Sequence, residues 1–97
     1  MNLKLELLKK AVDQDRFSKT TNTSQEACYQ IIEPDSNKVW GFVSIDNTQR
    51  GPGLGGIRLV QDLSLNEISR LARVMTMKNS SACLPYGGAK AGITLES

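Results

Sequence analysis

Two lysines in the last third of the chain are the residues best placed to do chemistry. Lys78 lies at the edge of an apolar helical stripe, one turn after Met75, where an ammonium group is partly removed from water. Lys90 lies within Gly87–Gly92, among small residues that leave its head group room for a ligand. Most lysines are solvated surface groups, which is the simpler interpretation of either residue alone. Held close together, one ammonium group could bind an anion while the other served as a base.

The segment Gly51–Gly56 matches the glycine pattern of a dinucleotide site, G-x-G-x-x-G, but its surroundings do not. That site needs the last glycine to open a helix whose N-terminus meets the pyrophosphate. Here Ile57–Val60 is β-like and the next helix begins only near Ser64, so we reject a nucleotide site. The adjacent Gly55 and Gly56 instead allow the backbone to approach a ligand or another strand closely.

The helix that carries Lys78 has the clearest boundaries in the sequence. Ser64 and Glu67 form a capping box, in which the serine hydroxyl accepts from the Glu67 amide and the carboxylate returns to the serine amide. We predict a helix that runs to about Ser81, before Pro85 stops it. The apolar stripe consists of Leu65, Ile68, Ala72, Met75 and Ala82.

A β-hairpin is predicted ahead of these motifs. Residues 26–33 and 38–46 are rich in β-branched and aromatic side chains, and residues 34–37 between them have turn chemistry. Both faces of the second strand are largely apolar, because its odd and even positions are both mostly hydrophobic. We therefore expect a sheet that is covered on both sides.

The pattern outside the hairpin is weaker. Residues 2–13 have the periodicity of an amphipathic helix, while residues 18–25 have no apolar face and are predicted as a loop. Short strands are predicted at 57–60 and 91–95, the second after a glycine-rich loop that contains Lys90. Together these elements predict an α/β fold, a mixed β-sheet with helices packed on it.

The composition is typical of one soluble globular domain over residues 1–97. A formal net charge of +2, evenly spread, is too small to favour nucleic acid or a membrane surface as a partner. No run approaches the ~20 apolar residues of a membrane-spanning helix, and the N-terminus lacks the apolar core of a signal peptide. We expect a cytoplasmic protein whose partners are small molecules or other proteins.

The two cysteines, Cys28 and Cys83, lie far apart in the sequence. The chain contains no histidine that could complete a metal site with them. We therefore expect no bound metal, and we expect both thiols to be reduced and mostly buried.

Three motifs stand in order between residues 51 and 93. They are Gly51-Pro-Gly-Leu-Gly-Gly-Ile-Arg58, Met75-Thr-Met-Lys-Asn79 and Leu84-Pro-Tyr-Gly-Gly-Ala-Lys-Ala-Gly-Ile93. In order and spacing they closely resemble the N-terminal domain of the glutamate/leucine/phenylalanine/valine dehydrogenase family. The resemblance covers about residues 26–95, and three motifs in order are far more specific than any one of them.

The resemblance implies oxidative deamination of an L-amino acid to its 2-oxo acid, with hydride passing to NAD or NADP, in a homo-oligomer. It implies that Lys78 binds the substrate α-carboxylate, that Lys90 activates the water that attacks the imino intermediate, and that Gly56 and Met75 line the substrate site. The chemistry agrees with these roles. A fixed cation suits a carboxylate, and a lysine that can lose its proton suits proton transfer.

Leu54 bears on the choice of substrate. Family members that act on glutamate resemble Gly-Pro-x-Lys-Gly-Gly, in which the lysine meets the side-chain carboxylate, whereas this chain has Leu54 at that place. A leucine would leave a second carboxylate desolvated and unpaired. We therefore hypothesise an apolar substrate, branched-chain or aromatic, as in the leucine/phenylalanine/valine branch.

The sequence also departs from the family pattern. It ends at Ser97, before the family's catalytic aspartate and its C-terminal dinucleotide-binding domain. The resemblance thus implies part of a larger enzyme, inactive alone, that binds no nicotinamide cofactor tightly. Two alternatives stay open: a non-catalytic oligomerisation module, in which residues 26–33 pair as an edge strand across an interface, and a small-molecule-binding module that has kept the pocket.

Overall fold

A computed structural model describes residues 3–10 and 25–95. In this part of the chain the elements are β1 (Lys4–Lys10), β2 (Ala27–Glu33), β3 (Lys38–Asn47), β4 (Gly53–Leu54), β5 (Ile57–Val60), α1 (Leu65–Ser81) and β6 (Gly87–Thr94). The strands form one sheet in the order β1-β2-β3-β6-β4, and β5 also pairs with β6. β4 and β5 run parallel to β6, while the other pairs are antiparallel. The predicted α/β fold with a mixed sheet is confirmed.

The predicted hairpin of β2 and β3 is confirmed. In its turn the Asn37 amide donates to the Glu33 carbonyl at 2.8 Å, and Asn37 has a φ of 57°, a left-handed conformation that asparagine tolerates. The register passes from Ile31 opposite Gly41 to Ile32 opposite Val39, so Trp40 is the extra residue of a β-bulge.

Helix α1 begins and ends where the sequence predicts. The Ser64 hydroxyl accepts a hydrogen bond from the Glu67 amide at 3.1 Å, which is half of the capping box. The predicted return bond from the Glu67 carboxylate to the serine amide is replaced by an ion pair, in which the carboxylate lies 3.4 Å from Arg58 Nε. The helix packs on β3 and β6 through the fully buried Ile68 and Ala72. Among the described residues it covers one face of the sheet, and no helix there is long and apolar enough to cross a membrane.

The helix predicted at residues 2–13 is wrong where the structure describes it, because residues 4–10 form strand β1. Leu5 and Leu7 pair with Ile31 and Tyr29 of β2, on the sheet face opposite α1. Leucines at alternate positions fit a strand, and leucines at wider spacing fit a helix, so the pattern allows both structures. Pairing with residues 27–32 of β2 favours the strand. Residues 2 and 11–13, and residues 18–24 of the predicted loop, lie outside the described residues.

Strand β1 also corrects the predicted sheet edge. β2 lies between β1 and β3, with both of its backbone sides paired, so residues 26–33 are not an edge strand. In the described part of the chain the edge on this side is β1.

Two further expectations need correction. The segment that contains Lys90 is not a loop, because β6 already begins at Gly87 and pairs on both sides. A side chain at Gly88 would overlap Thr76 and the Ala72 carbonyl of α1, so glycine is what lets this strand pass under the helix. Cys28 is buried as expected, whereas Cys83 is exposed in the turn after α1.

Candidate functional site

Lys90 is held in the middle of strand β6, on the side that faces the helix. It pairs with Ser44, whose hydroxyl contacts Ser69 of α1 at 3.1 Å. Its neighbours at alternate positions, Gly88 and Gly92, would both meet α1 if they carried a Cβ. Since alternate side chains share one face of a strand, the Lys90 side chain leaves β6 on this face and is half-buried.

The ammonium group of Lys90 lies beside Gly56. A Cβ added at Gly56 would meet Lys90 Nζ at 3.3 Å and, apart from its chain neighbours, no other atom of the described residues within 4 Å. The Gly56 carbonyl accepts from the Ala91 amide at 3.1 Å, so its backbone is tied to β6. The space above Gly56 is therefore open except for one cation.

A small cavity adjoins this segment. Its volume is about 180 Å³, and it is lined by Val43, Gly53, Gly55, Gly56, Ile57, Ala89, Lys90 and Ala91. Pockets that enclose a small molecule usually measure about 300–1,000 Å³. The cavity formed by the described residues is therefore too small to enclose a small molecule by itself.

Met75 and Lys78 lie on the flank of α1 that faces strands β4 and β5. A helix turns by about 100° per residue, so Glu67, Met75 and Lys78 fall on the same side of its axis. The direction of that side is fixed by Glu67, whose carboxylate pairs with Arg58 of β5. Met75 and Lys78 therefore border the sheet edge that holds Gly56.

The structure places Leu54 and Gly56 on that edge and the Lys90 ammonium group beside it, with Met75 and Lys78 on the neighbouring helix flank. Lys78 is exposed and does not line the cavity at Gly56. It lines a separate open groove of about 480 Å³ with Val74, Met77, Ser81 and Ala82. That both ammonium groups converge on one ligand stays a prediction.

The opposite flank of α1 contains a buried polar cluster that the sequence analysis missed. Asp46 is the extra residue of a bulge in β3, and its side chain is 1% exposed. Its Oδ2 atom accepts from Thr76 Oγ1 at 2.6 Å and lies 3.4 Å from an Arg73 guanidinium nitrogen. Its Oδ1 atom is buried without a hydrogen-bond partner among the described residues. Only the spacing of Arg73 and Thr76 on one side of a helix hinted at this cluster.

Asn79 was also missed, although it is 4% exposed. It lies two turns after the buried Ala72, so the helical period alone places it towards the sheet. Its polarity argued against burial, because a buried amide needs hydrogen-bond partners that only the folded chain supplies.

Residues 17–97 match the model of one protein family, the dimerisation domain of Glu/Leu/Phe/Val dehydrogenases. The chain belongs to this family. Among curated proteins it is 45% identical over 53 residues to a glutamate dehydrogenase of Aeropyrum pernix, and 49% identical over 53 residues to an NADP-specific glutamate dehydrogenase of Synechocystis sp.. Each alignment covers 55% of this chain, but only 13% and 12% of the respective relatives.

Solved structures of amino acid dehydrogenases share the fold. An L-tryptophan dehydrogenase from Nostoc punctiforme superposes with a TM-score of 0.67 at 27% identity, over 76% of this chain and 23% of that one. A hetero-hexameric glutamate dehydrogenase from Thermus thermophilus gives a TM-score of 0.58 at 25% identity, over 98% of this chain and 18% of that one. The predicted family is thus confirmed. The narrower leucine/phenylalanine/valine branch is not, since these relatives act on glutamate or tryptophan by name.

Proposed function

We propose that this chain forms the substrate-binding and dimerisation part of an NAD(P)-dependent L-amino acid dehydrogenase. The proposal depends most on one observation, the Lys90 ammonium group beside an otherwise open Gly56. A cation at a surface where the backbone leaves side-chain space is suited to meet a small anionic substrate. Family membership supplies the reaction class, the oxidative deamination of an amino acid to a 2-oxo acid.

Lys78 is proposed to bind the α-carboxylate of the substrate. It lies in the last turn of α1. Its exposure leaves the head group free to swing toward an anion at the β4–β5 edge. A compact cation on a flexible stem suits a carboxylate that arrives from solvent.

Lys90 is proposed to act on the reacting carbon as the base that activates water. Its stem is held by a central strand, and only its head group reaches the open space at Gly56. A base must lie within hydrogen-bond reach of the proton that it abstracts, so a fixed stem and a free head group are the useful combination.

Leu54 is proposed to favour an apolar substrate side chain. Its side chain is 40% exposed at the end of β4, two residues before Gly56. A substrate carboxylate placed against leucine would lose water without gaining a partner. Leu54→Lys is therefore expected to shift preference toward 2-oxoglutarate, and glutamate preference in the complete enzyme, assayed with leucine, valine, phenylalanine and glutamate, would refute this role.

The nicotinamide cofactor does not fit the described residues of this chain. Gly51–Gly56 leads into β5, and α1 begins only at Leu65, so no glycine turn opens a helix N-terminus. In the proposed enzyme, NAD or NADP would bind elsewhere and accept the hydride. The residues of this chain would hold the substrate and move a proton.

Binding of a branched-chain 2-oxo acid to the 97-residue chain, followed by NMR titration, tests the proposal. Lys78→Met and Lys90→Met keep most of the side-chain bulk and remove the charge. Each is expected to weaken binding by about ten- to a hundredfold, the range for one lost charged hydrogen bond. Arg70→Met removes an exposed cation from the outer side of α1 and should leave binding unchanged. Equal losses in all three variants, or no saturable binding to the wild type, would refute the proposal.

Strand β1 supports the second candidate function, homo-oligomerisation. It is a sheet edge in the described part of the chain, and Leu5 and Leu7 on it, with Leu3 just before it, are each at least 50% exposed. A sheet edge with exposed leucines can pair with the same strand of a second copy about a two-fold axis. Sedimentation of the wild type and of Leu5→Lys/Leu7→Lys tests this, because a dimer that survives the change does not use β1.

A further inference from the structure

Asn79 joins the helix to both glycine-rich segments at the end where the candidate site lies. One nitrogen of its side chain, Nδ2, donates to the Gly87 carbonyl at 2.7 Å and to the Leu54 carbonyl at 3.2 Å. A primary amide has two N–H donors on one planar group, and both are used here. Asn79 is the only buried polar residue of the described helix whose bonds reach β4.

The two carbonyls belong to neighbouring strands. Leu54 ends β4 and Gly87 begins β6, and the pair is held in parallel register by Gly53 opposite Gly87 and Leu54 opposite Gly88. β4 has only two residues, which gives it little pairing of its own. The side-chain amide of Asn79 therefore adds a hydrogen bond from helix α1 to the short strand β4.

The backbone of the same residue fixes the turn into β6. The Asn79 carbonyl accepts from the Leu84 amide at 2.9 Å, and the Arg50 side chain holds the Leu84 carbonyl at 3.1 Å. Lys90 lies only three residues beyond Gly87 in a continuous strand, so its position along the strand follows from that of Gly87. Lys78 directly precedes Asn79 on the helix.

We infer that Asn79 is a positioning residue. It holds three parts of the site at fixed distances from one another: Leu54, the strand that contains Lys90, and the end of the helix that contains Lys78. The functional part of this inference rests on the proposed function. Loss of the amide donors would let β4 move away from β6 and would blunt any discrimination that depends on Leu54. The acidic analogue, Asn79→Asp, would in addition place a carboxylate against two carbonyl oxygens.

The test compares Asn79→Ala with Ser69→Ala in the 97-residue chain. Ser69 is a suitable control because it is also buried on α1, but its hydroxyl contacts Ser44 and Cys28 instead of the glycine-rich segments. The readout is the ratio of affinities for a branched-chain 2-oxo acid and for 2-oxoglutarate. A purely structural role lowers both affinities in proportion to the folded fraction and leaves the ratio unchanged. We expect Asn79→Ala to lower the ratio by roughly five- to tenfold, the factor for the lost hydrogen bond to the Leu54 carbonyl, and Ser69→Ala to preserve it.

A second measurement needs no ligand. The Gly87 amide donates to the Gly51 and Pro52 carbonyls at 3.2 and 3.0 Å, so its hydrogen exchange reports on the β4–β6 junction. Asn79→Ala should raise this exchange rate by about tenfold over Ser69→Ala at matched stability.

A wild type that binds no oxo acid would refute the proposed function, and the exchange rates alone would then decide the positioning role. If Asn79→Ala does not fold, the same measurements are made on Asn79→Ser, which keeps one hydrogen-bond donor. Equal exchange in the Asn79 and Ser69 variants, or failure of both Asn79 variants to fold, would overturn the inference.

Discussion

The two flanks of helix α1 meet the sheet in opposite ways. On the β3 flank, the buried carboxylate of Asp46 is bound through its Oδ2 atom by Thr76 and Arg73, so these three side chains are partners within the protein. On the β4–β5 flank, the Lys90 ammonium group lies beside the open Gly56 and Lys78 is exposed. The difference distinguishes polar side chains that bind one another within the fold from lysines whose head groups reach open space or solvent.

The largest difference in stability between the two flanks is expected when a glycine on each is replaced by alanine. Gly88→Ala would force a Cβ into Thr76 and the Ala72 carbonyl, and should destabilise the domain by about 3 kcal/mol, the upper range for overpacking. Gly56→Ala meets only the mobile end of Lys90 and should cost about 1 kcal/mol or less. Neither glycine has a positive φ, so alanine fits the backbone at both and sterics alone are compared. Urea unfolding measures the free energy of unfolding of both variants. Equal losses of stability would contradict the difference between a packed and an open flank.

The buried cluster on the β3 flank should give the next largest effect. Asp46→Ala removes the carboxylate that Arg73 and Thr76 bind, leaving the Thr76 hydroxyl with the Ala72 carbonyl at 3.3 Å, and should lower the free energy of unfolding by about 2–3 kcal/mol. The double variant Asp46→Ala/Arg73→Ala should lose less than the sum of the two single variants, because the partners share one interaction. Strictly additive losses in denaturant titrations would mean that Asp46 and Arg73 do not interact.

The smallest effect is expected at the ion pair on the open flank. Arg58 and Glu67 have side chains that are 46% and 30% exposed, so water and salt screen their attraction. Arg58→Ala should change stability by no more than about 0.5 kcal/mol, with a difference that shrinks at high salt. A loss as large as that of Asp46→Ala would show that both flanks are structural.

Local signals in the sequence predicted the elements that have strong boundaries. The capping box at Ser64 gave the start of α1, and turn residues between two β-branched runs gave the hairpin. The leucines of the N-terminal segment fit both the helical and the strand period, so the pattern alone does not predict strand β1. The glycines around Lys90 predict a loop, because glycine is uncommon in strands except where a neighbouring element needs the space, as α1 does at Gly88.

The sequence by itself determined the family, the order of the motifs and the candidate residues Leu54, Gly56, Met75, Lys78 and Lys90. These depend on residue types and spacing along one chain. Only the tertiary structure decided that the Lys90 ammonium group lies beside Gly56, between β4 and β5, that Asp46 is buried, and that Asn79 bonds both glycine-rich segments. Apart from the bond between Asn79 and Gly87, those contacts join residues far apart in the sequence. The hydrogen bonds that make a buried carboxylate or amide tolerable exist only after the strands and the helix have packed.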